Sequence, residues 1–149
     1  MTLCLRYTKN EANSMHVLNA GFYKVYKNID KYDPTKASLY TWIRTIIINS
    51  CIDFIKSGNK NNNWMELDQA AEVDLPPEVF IKMSAEEILQ LVRQLPPATQ
   101  AVFNLYVMDG YSHREIGGIM AISEGTSKWH LSEARKQLKN LLQELRKDS

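Results

Sequence analysis

Apolar residues recur at steps of three and four along most of this chain, the spacing that places them on one face of a helix. Between residues 14 and 32, Met15, Leu18, Phe22, Val25, Tyr26 and Ile29 form such a face. Ser14 suits the N-cap, and Asp33-Pro34 ends the segment, because proline disfavours helical backbone in the residue before it. A second helix is predicted from Ser38 to Lys56, with Leu39, Trp42, Ile43, Ile46, Ile47, Cys51, Ile52 and Ile55 as its apolar set. The β-branched run Ile46-Ile47-Ile48 could pass for a strand, but its flanks keep helical spacing and show no alternation.

Ser57-Gly58-Asn59-Lys60-Asn61-Asn62-Asn63 offers nothing to bury and reads as a loop. The acidic tract from Glu66 to Glu78, containing Pro76-Pro77, continues it as a linker. From Ser84 onward four helices follow in close succession. Ser84 and Glu87 match a capping box for a helix bearing Ile88, Leu91, Val92 and Leu95. Pro96-Pro97 stops that helix and opens the next, which runs to about Met108 and ends at Asp109-Gly110. Ser112 and Glu115 form a second capping box for a short helix to Met120, and Ser123 caps the fourth helix. The fold class is therefore all-α: two small helical domains, residues 1–57 and 84–149, joined by a flexible linker over 58–83.

The charge pattern follows the same division. The net charge is only +1 over 149 residues, so composition alone does not announce a nucleic-acid binder. Yet residues 1–57 carry eight basic against four acidic residues, 58–83 two against five, and 84–149 eight against eight. The two cysteines, Cys4 and Cys51, form neither a CxxC pair nor a cluster with histidine, so they read as small apolar residues in a reducing cytosol. No metal site, cofactor or small-molecule substrate is expected. No Gly-rich phosphate loop or nucleophile–base spacing suggests an enzyme. The start of the chain has no signal pattern, and no run approaches the ~20 apolar residues that cross a bilayer, so a cytoplasmic protein is expected.

The chemistry concentrates in Tyr111–Gln143. A short helix bearing Ile116, Ile119 and Met120 is followed by the break Ala121-Ile122-Ser123 and then a long helix. Helices joined so tightly cross steeply, as in a DNA-binding helix-turn-helix, whose second helix offers its N-terminal residues to the major groove. Those residues are Glu124, Gly125, Thr126, Ser127, Lys128, Trp129 and His130. Backbone N–H groups at the helix start, with the Thr126 hydroxyl, can hold phosphate oxygens, and Lys128 can reach a phosphate or a guanine edge. Leu131, Ala134, Leu138, Leu141 and Leu145 make the packed stripe, leaving Arg135, Lys136 and Lys139 free to meet phosphates. A leucine stripe alone is also what any packed helix or coiled-coil seam carries. The capped short helix, the three-residue break and the polar-basic start together point to DNA.

These segments resemble extracytoplasmic-function sigma factors of bacterial RNA polymerase. LPPATQAVFNLYVMDGYSHREIGGIMAISEGTSKWHLSEARKQLKNLL is similar to their domain 4, with its V-F-x-L-Y core, G-Y-x-H-x-E-I helix and I-S-E-G-T-S-K turn. LRYTKNEANSMHVLNAGFYKVYKNIDKYDPTKASLYTWIRTIIINSCIDFIK is similar to most of domain 2, through Gly21–Tyr26 and Trp42–Lys56. The resemblance implies a polymerase subunit that binds core RNA polymerase and promoter DNA, with an anti-sigma factor as a further partner class. It implies −35 element reading by Gly125, Thr126, Ser127, Lys128, Trp129, His130 and Arg135. It implies −10 element reading by Asn49, Asp53 and Lys56 with the loop 57–63, where a melted strand meets a basic groove. The face around Leu18, Phe22 and Tyr26 corresponds to the polymerase-binding helix.

Several positions depart from the family pattern. The chain starts inside domain 2 and is expected to lack that domain's first helix. His16, Asn19 and Ala20 stand at acidic and glutamine positions of the polymerase-binding helix. Trp129 replaces a small polar residue and could contact a thymine methyl or sugar. Glu133 replaces a basic one and would repel phosphate unless Lys136 pairs with it or Gln137 shields it. Ala121 replaces the turn glycine, at little cost if its φ stays negative. Trp42 reads as core rather than a base-stacking residue, Asn49 and Asp53 fit a solvated helix face equally well, and His16 and His113 read as surface or first-turn residues. Two other functions compete: a stand-alone helix-turn-helix regulator, dimeric through Leu131–Leu145, and a degenerate helical protein that occupies polymerase or an anti-sigma factor without reading DNA.

Overall fold

The computed structural model describes residues 1–58 and 74–148, and the chain divides into two compact units, Met1–Asn61 and Asn62–Ser149. Among the described residues there is no strand.

The first unit contains α1 (Thr2–Tyr7), α2 (Glu11–Lys27), a 3-10 turn at Ile29–Lys31 and α3 (Leu39–Gly58). Sequence periodicity missed α1, because six residues are too few to show a helical repeat. It also placed the cap of α2 four residues late. Asn10 is the N-cap, and its Oδ1 accepts the Asn13 N–H at 2.8 Å. Ser14 lies inside the helix, fully buried, with its hydroxyl bonded to that of Thr8.

The packed face of α2 is Ser14, Val17, Gly21 and Val25, a stripe of small residues. At Gly21 a Cβ would stand 2.4 Å from Ile47 Cδ1, so the two helices approach closely there. Small residues on the inner face leave the larger apolar side chains outside: Phe22 is 51% and Tyr26 78% exposed. Of the six apolar residues expected to pack, only Val25 is buried and Leu18 is half-buried. Helix α3 supplies the other half of the core through Ile47, Ile48, Cys51, Ile52 and Ile55. Cys51 Sγ donates to Cys4 Sγ at 3.9 Å, which pulls the Cys4 thiol down to about 7 against the upward push of burial. Trp42 is half-buried against Tyr32, with ring centroids 5.4 Å apart.

The second unit holds a 3-10 turn at Pro77–Phe80, α4 (Ala85–Arg93), α5 (Pro97–Phe103), α6 (His113–Met120) and α7 (Glu124–Lys147). Both expected capping boxes form: Ser84 with Glu87, and Ser112 with Glu115. Helix α5 runs into one π turn, Asn104–Met108, where Asp109 N–H donates to Asn104 O at 2.9 Å. Gly110, at φ +77°, then reverses the chain towards α6. The core is built by Leu91, Val92, Leu95, Val102, Phe103, Leu105, Ile116 and Met120 around α7.

Helix α7 buries Leu131, Ala134, Leu138 and Leu142. Leu141 is only half-buried and Leu145 is 51% exposed, which corrects the expected stripe. A repeat of 3.5 residues stays in line only if the helix supercoils about a partner. A straight helix of 3.6 residues per turn drifts, and Leu142 takes the inward place.

In the turn between α6 and α7 the condition for a low-cost alanine is not met. Ala121 sits at φ 57°, ψ 48°, the left-handed region, because the amides of Ala121 and Ile122 both bond back to Gly117 O. A Cβ on Gly117 would lie 2.8 Å from the Ile122 carbonyl oxygen, whereas one on Gly118 would meet nothing within 4 Å. Denaturant titration of the full chain should therefore rank three variants. Ala121→Gly gains about 1 kcal/mol by relieving left-handed strain. Gly118→Ala gains up to about 1 kcal/mol of helix propensity. Gly117→Ala loses about 1–3 kcal/mol through backbone crowding. Equal effects of Gly117→Ala and Gly118→Ala would contradict the close contact at the turn.

Candidate nucleic-acid interface

The start of α7 is set by Ser123, whose Oγ accepts the Thr126 N–H at 3.1 Å while its own O–H donates to Thr126 Oγ1 at 2.9 Å. From that start the helix turns Glu124, Gly125 and Lys128 fully outward, and Trp129 partly so. Lys128, Ser132, Arg135 and Lys139 follow at steps of four, three and four, giving one polar-basic line. Ser132 was not singled out from sequence. Its signal was the four-residue step from Lys128.

Three residues expected at the groove face inward instead. Thr126 is buried and its hydroxyl serves the cap, so it is not open to a phosphate. Ser127 is 0% exposed and shares a 2.8 Å hydrogen bond with His113 Nδ1. His130 is 6% exposed, with Nδ1 bonded to Thr99 Oγ1 at 3.0 Å and Nε2 buried without a hydrogen-bond partner. A bare buried lone pair costs less than a bare N–H, which favours the tautomer donating from Nδ1 to Thr99. These three are core residues of the helix-turn-helix. The helical turn that exposes Lys128 must turn its neighbours in.

Of the two partners that could offset Glu133, Gln137 is the one in contact, its Nε2 donating to the carboxylate at 2.9 Å. Trp129 stands edge-on to His130, centroids 5.0 Å apart. His113, read as a surface or first-turn residue, opens the first turn of α6 and is partly covered: its ring stacks on Tyr106 with centroids 4.5 Å apart and planes 19° apart. Burial lowers its pKa, and the charges of Lys128 and Arg135 add to that effect against Glu124.

In the first unit, Asn49, Asp53 and Lys56 share one face of α3 by their spacing. Asn49 and Asp53 are exposed, and Lys56 is half-buried. Asp53 Oδ2 lies 3.1 Å from Lys24 Nζ, an exposed ion pair that ties α3 to α2 with little gain in stability. Of the loop 57–63, residues from 59 onward lie outside the described residues. Leu18 is half-buried, while Phe22 and Tyr26 stand out with Met15 and Tyr23 as an aromatic-rich apolar surface. Tyr40, 75% exposed at the start of α3, was not singled out from sequence. Its position outside the apolar set between Leu39 and Trp42 was the available signal. Among the described residues no group of three potential ligands could hold a metal, and no helix is long and apolar enough to cross a membrane.

The two second-unit histidines give a pH signature. Burial lowers the His130 pKa against the opposing charge of Glu133, and burial likewise lowers that of His113. Above about pH 6.5, the ordinary histidine value, both rings are neutral folded or unfolded and full stability is present. As pH falls below that value the unfolded chain takes up protons that the fold resists, so stability declines until the folded-state pKa is reached. Denaturant midpoints between pH 7.5 and 5 should fall for the wild type and fall less for His130→Phe. An unchanged slope in that variant would contradict a buried neutral ring.

Comparison with known proteins gives the same two-part division. Residues 1–61 match the family model for Sigma-70 region 2, and residues 85–138 match that for Sigma-70, region 4. The chain is 27% identical to the ECF RNA polymerase sigma factor SigW of Bacillus subtilis, over 96% of this chain and 82% of that protein. It is 26% identical to the ECF RNA polymerase sigma-E factor of Haemophilus influenzae, over 87% of this chain and 74% of that protein. The sigma factor RpoE of Bartonella quintana, solved with the anti-sigma factor NepR, shares the fold with a TM-score of 0.64 at 15% identity, over 95% of this chain and 88% of that one. With regions 2 and 4 matched in order and relatives of this one kind along nearly its full length, the chain belongs to the extracytoplasmic-function sigma factors of the sigma-70 family.

Proposed function

We propose that this protein directs transcription initiation in the cytoplasm by binding core RNA polymerase and promoter DNA, and performs no catalytic step itself. The observation that carries this reading is the match to regions 2 and 4 in order, with a polar-basic line on the second helix of the region 4 helix-turn-helix. In this reading residues 84–149 meet the −35 element. Lys128 reaches a guanine edge or phosphate, and Arg135 and Lys139 meet phosphates along the groove. Gly125 lets the backbone approach the sugar-phosphate chain, and the partly exposed Trp129 supplies apolar contact. Residues 1–57 meet polymerase through Phe22 and Tyr26 with the flank of Leu18, and the −10 element through Asn49, Asp53 and Lys56. The segment 58–83 joins them.

An anti-sigma factor is the further partner, by analogy with RpoE, which was solved bound to one. A dimeric stand-alone regulator is disfavoured because Leu131, Ala134 and Leu138, the residues it would share, are consumed by the core of their own unit.

Binding of the full chain to core RNA polymerase, and promoter-dependent transcription by the reconstituted holoenzyme, test this reading. Phe22→Ala with Tyr26→Ala should weaken polymerase binding about tenfold or more, as removal of an exposed aromatic anchor does. Lys128→Ala and Arg135→Ala should each weaken promoter binding and reduce the slope of log affinity against log salt by about 1. Wild-type protein that binds neither polymerase nor promoter would overturn the proposal. Full promoter-dependent transcription by Lys128→Ala with Arg135→Ala would overturn the assignment of α7 to the −35 element, and wild-type protein that binds polymerase without supporting such transcription would favour an interaction protein that does not read DNA.

A further inference from the structure

We propose that His113 is the positioning residue of the helix-turn-helix, fixing the tilt and rotation of α7 through its hydrogen bond to Ser127 and its ring stack on Tyr106. The inference rests on the reading of α7 as the −35 helix.

The geometry gives one side chain three attachments. His113 is the first residue of α6, and its backbone is anchored by the capping box of Ser112 and Glu115. Its Nδ1 meets Ser127 Oγ at 2.8 Å, one turn into α7 and next to the outward-facing Lys128. Its ring lies nearly parallel to Tyr106 on the π turn, centroids 4.5 Å apart. The imidazole therefore joins the end of α5, the start of α6 and the start of α7.

Apart from the bond between His130 and Thr99, which ties α7 to α5 farther along, the packing behind α7 is apolar and does not by itself set a rotation angle at the start of the helix. Leu131, Ala134 and Leu138 press the helix inward, yet contacts of that kind tolerate small slides and rolls. A hydrogen bond to a fully buried hydroxyl is directional, and losing it leaves a polar group without its partner. Lys128 follows Ser127 directly and stands outward, so a roll of α7 by about 10° carries the tip of its side chain, about 8 Å from the helix axis, by about 1.4 Å. Specific contacts need placement to about 0.5 Å. Phosphate contacts from flexible lysines and arginines survive such a shift, whereas base reading does not. The signature of His113 is thus promoter discrimination rather than bulk DNA affinity.

Three variants separate this role from a merely structural one. His113→Phe keeps a ring on Tyr106 and removes the bond to Ser127. His113→Asn can place an amide atom where Nδ1 stood and removes most of the stack. Ser127→Ala removes the bond from the other side. Holoenzyme affinity is measured for a promoter selected with the wild type and for the same DNA with its −35 element scrambled, alongside the thermal melting of each chain. His113→Phe and Ser127→Ala should each reduce the ratio of the two affinities at least fivefold, with scrambled-DNA affinity within twofold of wild type. Combining them should cost no more than either alone, since they break one bond. His113→Asn should recover most of the discrimination. Unchanged discrimination in His113→Phe overturns the inference, and so does a loss in His113→Asn as large as in His113→Phe that tracks melting temperature alone. Lys128→Ala in the same assay separates the two levels. If it leaves discrimination intact, the groove assignment of α7 falls and this inference with it. If it lowers discrimination while His113→Phe does not, the His113 role alone falls.

Discussion

Three residues, Ala121 to Ser123, must carry the chain from the end of α6 to the start of α7. A connection this short forbids antiparallel packing and forces the two helices to cross. The turn is formed by a left-handed Ala121, two amides bonded to Gly117 O and a serine cap on the far side, and the bond between His113 and Ser127 spans it. Once the crossing is set, the helical repeat decides the rest of α7. Leu131, Ala134, Leu138 and Leu142 go in, and Lys128, Ser132, Arg135 and Lys139 are left on the polar-basic line. The chemical identity of the exposed polar-basic surface is therefore a consequence of the turn, because shifting the phase of α7 by one residue would bury the basic line.

The first unit solves a related problem in the opposite way. Its α2 packs through Ser14, Val17, Gly21 and Val25, and only side chains this small allow so close an approach to Ile47 on α3. Large apolar residues could not fit there. They stand on the outer side, where Phe22, Tyr23 and Tyr26 expose area that a lone protein gains nothing by exposing. A surface of that kind suits a subunit whose work is done on a larger partner.

Much of this was legible in the sequence, and the reasons for the misses are physical. Three caps were readable because a side chain and an amide three residues apart determine them locally: Ser84 with Glu87, Ser112 with Glu115, and Ser123 all form as expected, whereas Ser14 lies inside a helix capped by Asn10. The inner face of α2 was misread because hydrophobicity was taken for burial. Two stripes at helical spacing coexist there, and the smaller residues win where helices come closest. Thr126, Ser127 and His130 were assigned to DNA because they are polar and adjacent to Lys128. Polarity alone does not reveal that Thr99 and His113, distant in sequence, supply buried partners for two of them. The φ of Ala121 was not legible because residue type sets only a preference, while the Gly117 carbonyl, accepting the amides of Ala121 and Ile122, sets the outcome.

The central claim, that the outward line of α7 lies in promoter DNA, is tested most directly by photo-crosslinking from position 128 in a complex of the full chain, core RNA polymerase and promoter. A photoreactive residue at this exposed site leaves the core untouched. The account predicts crosslinks to bases of the −35 element, lost when that element alone is scrambled. Crosslinks to polymerase only, or to DNA without regard to that element, would contradict it.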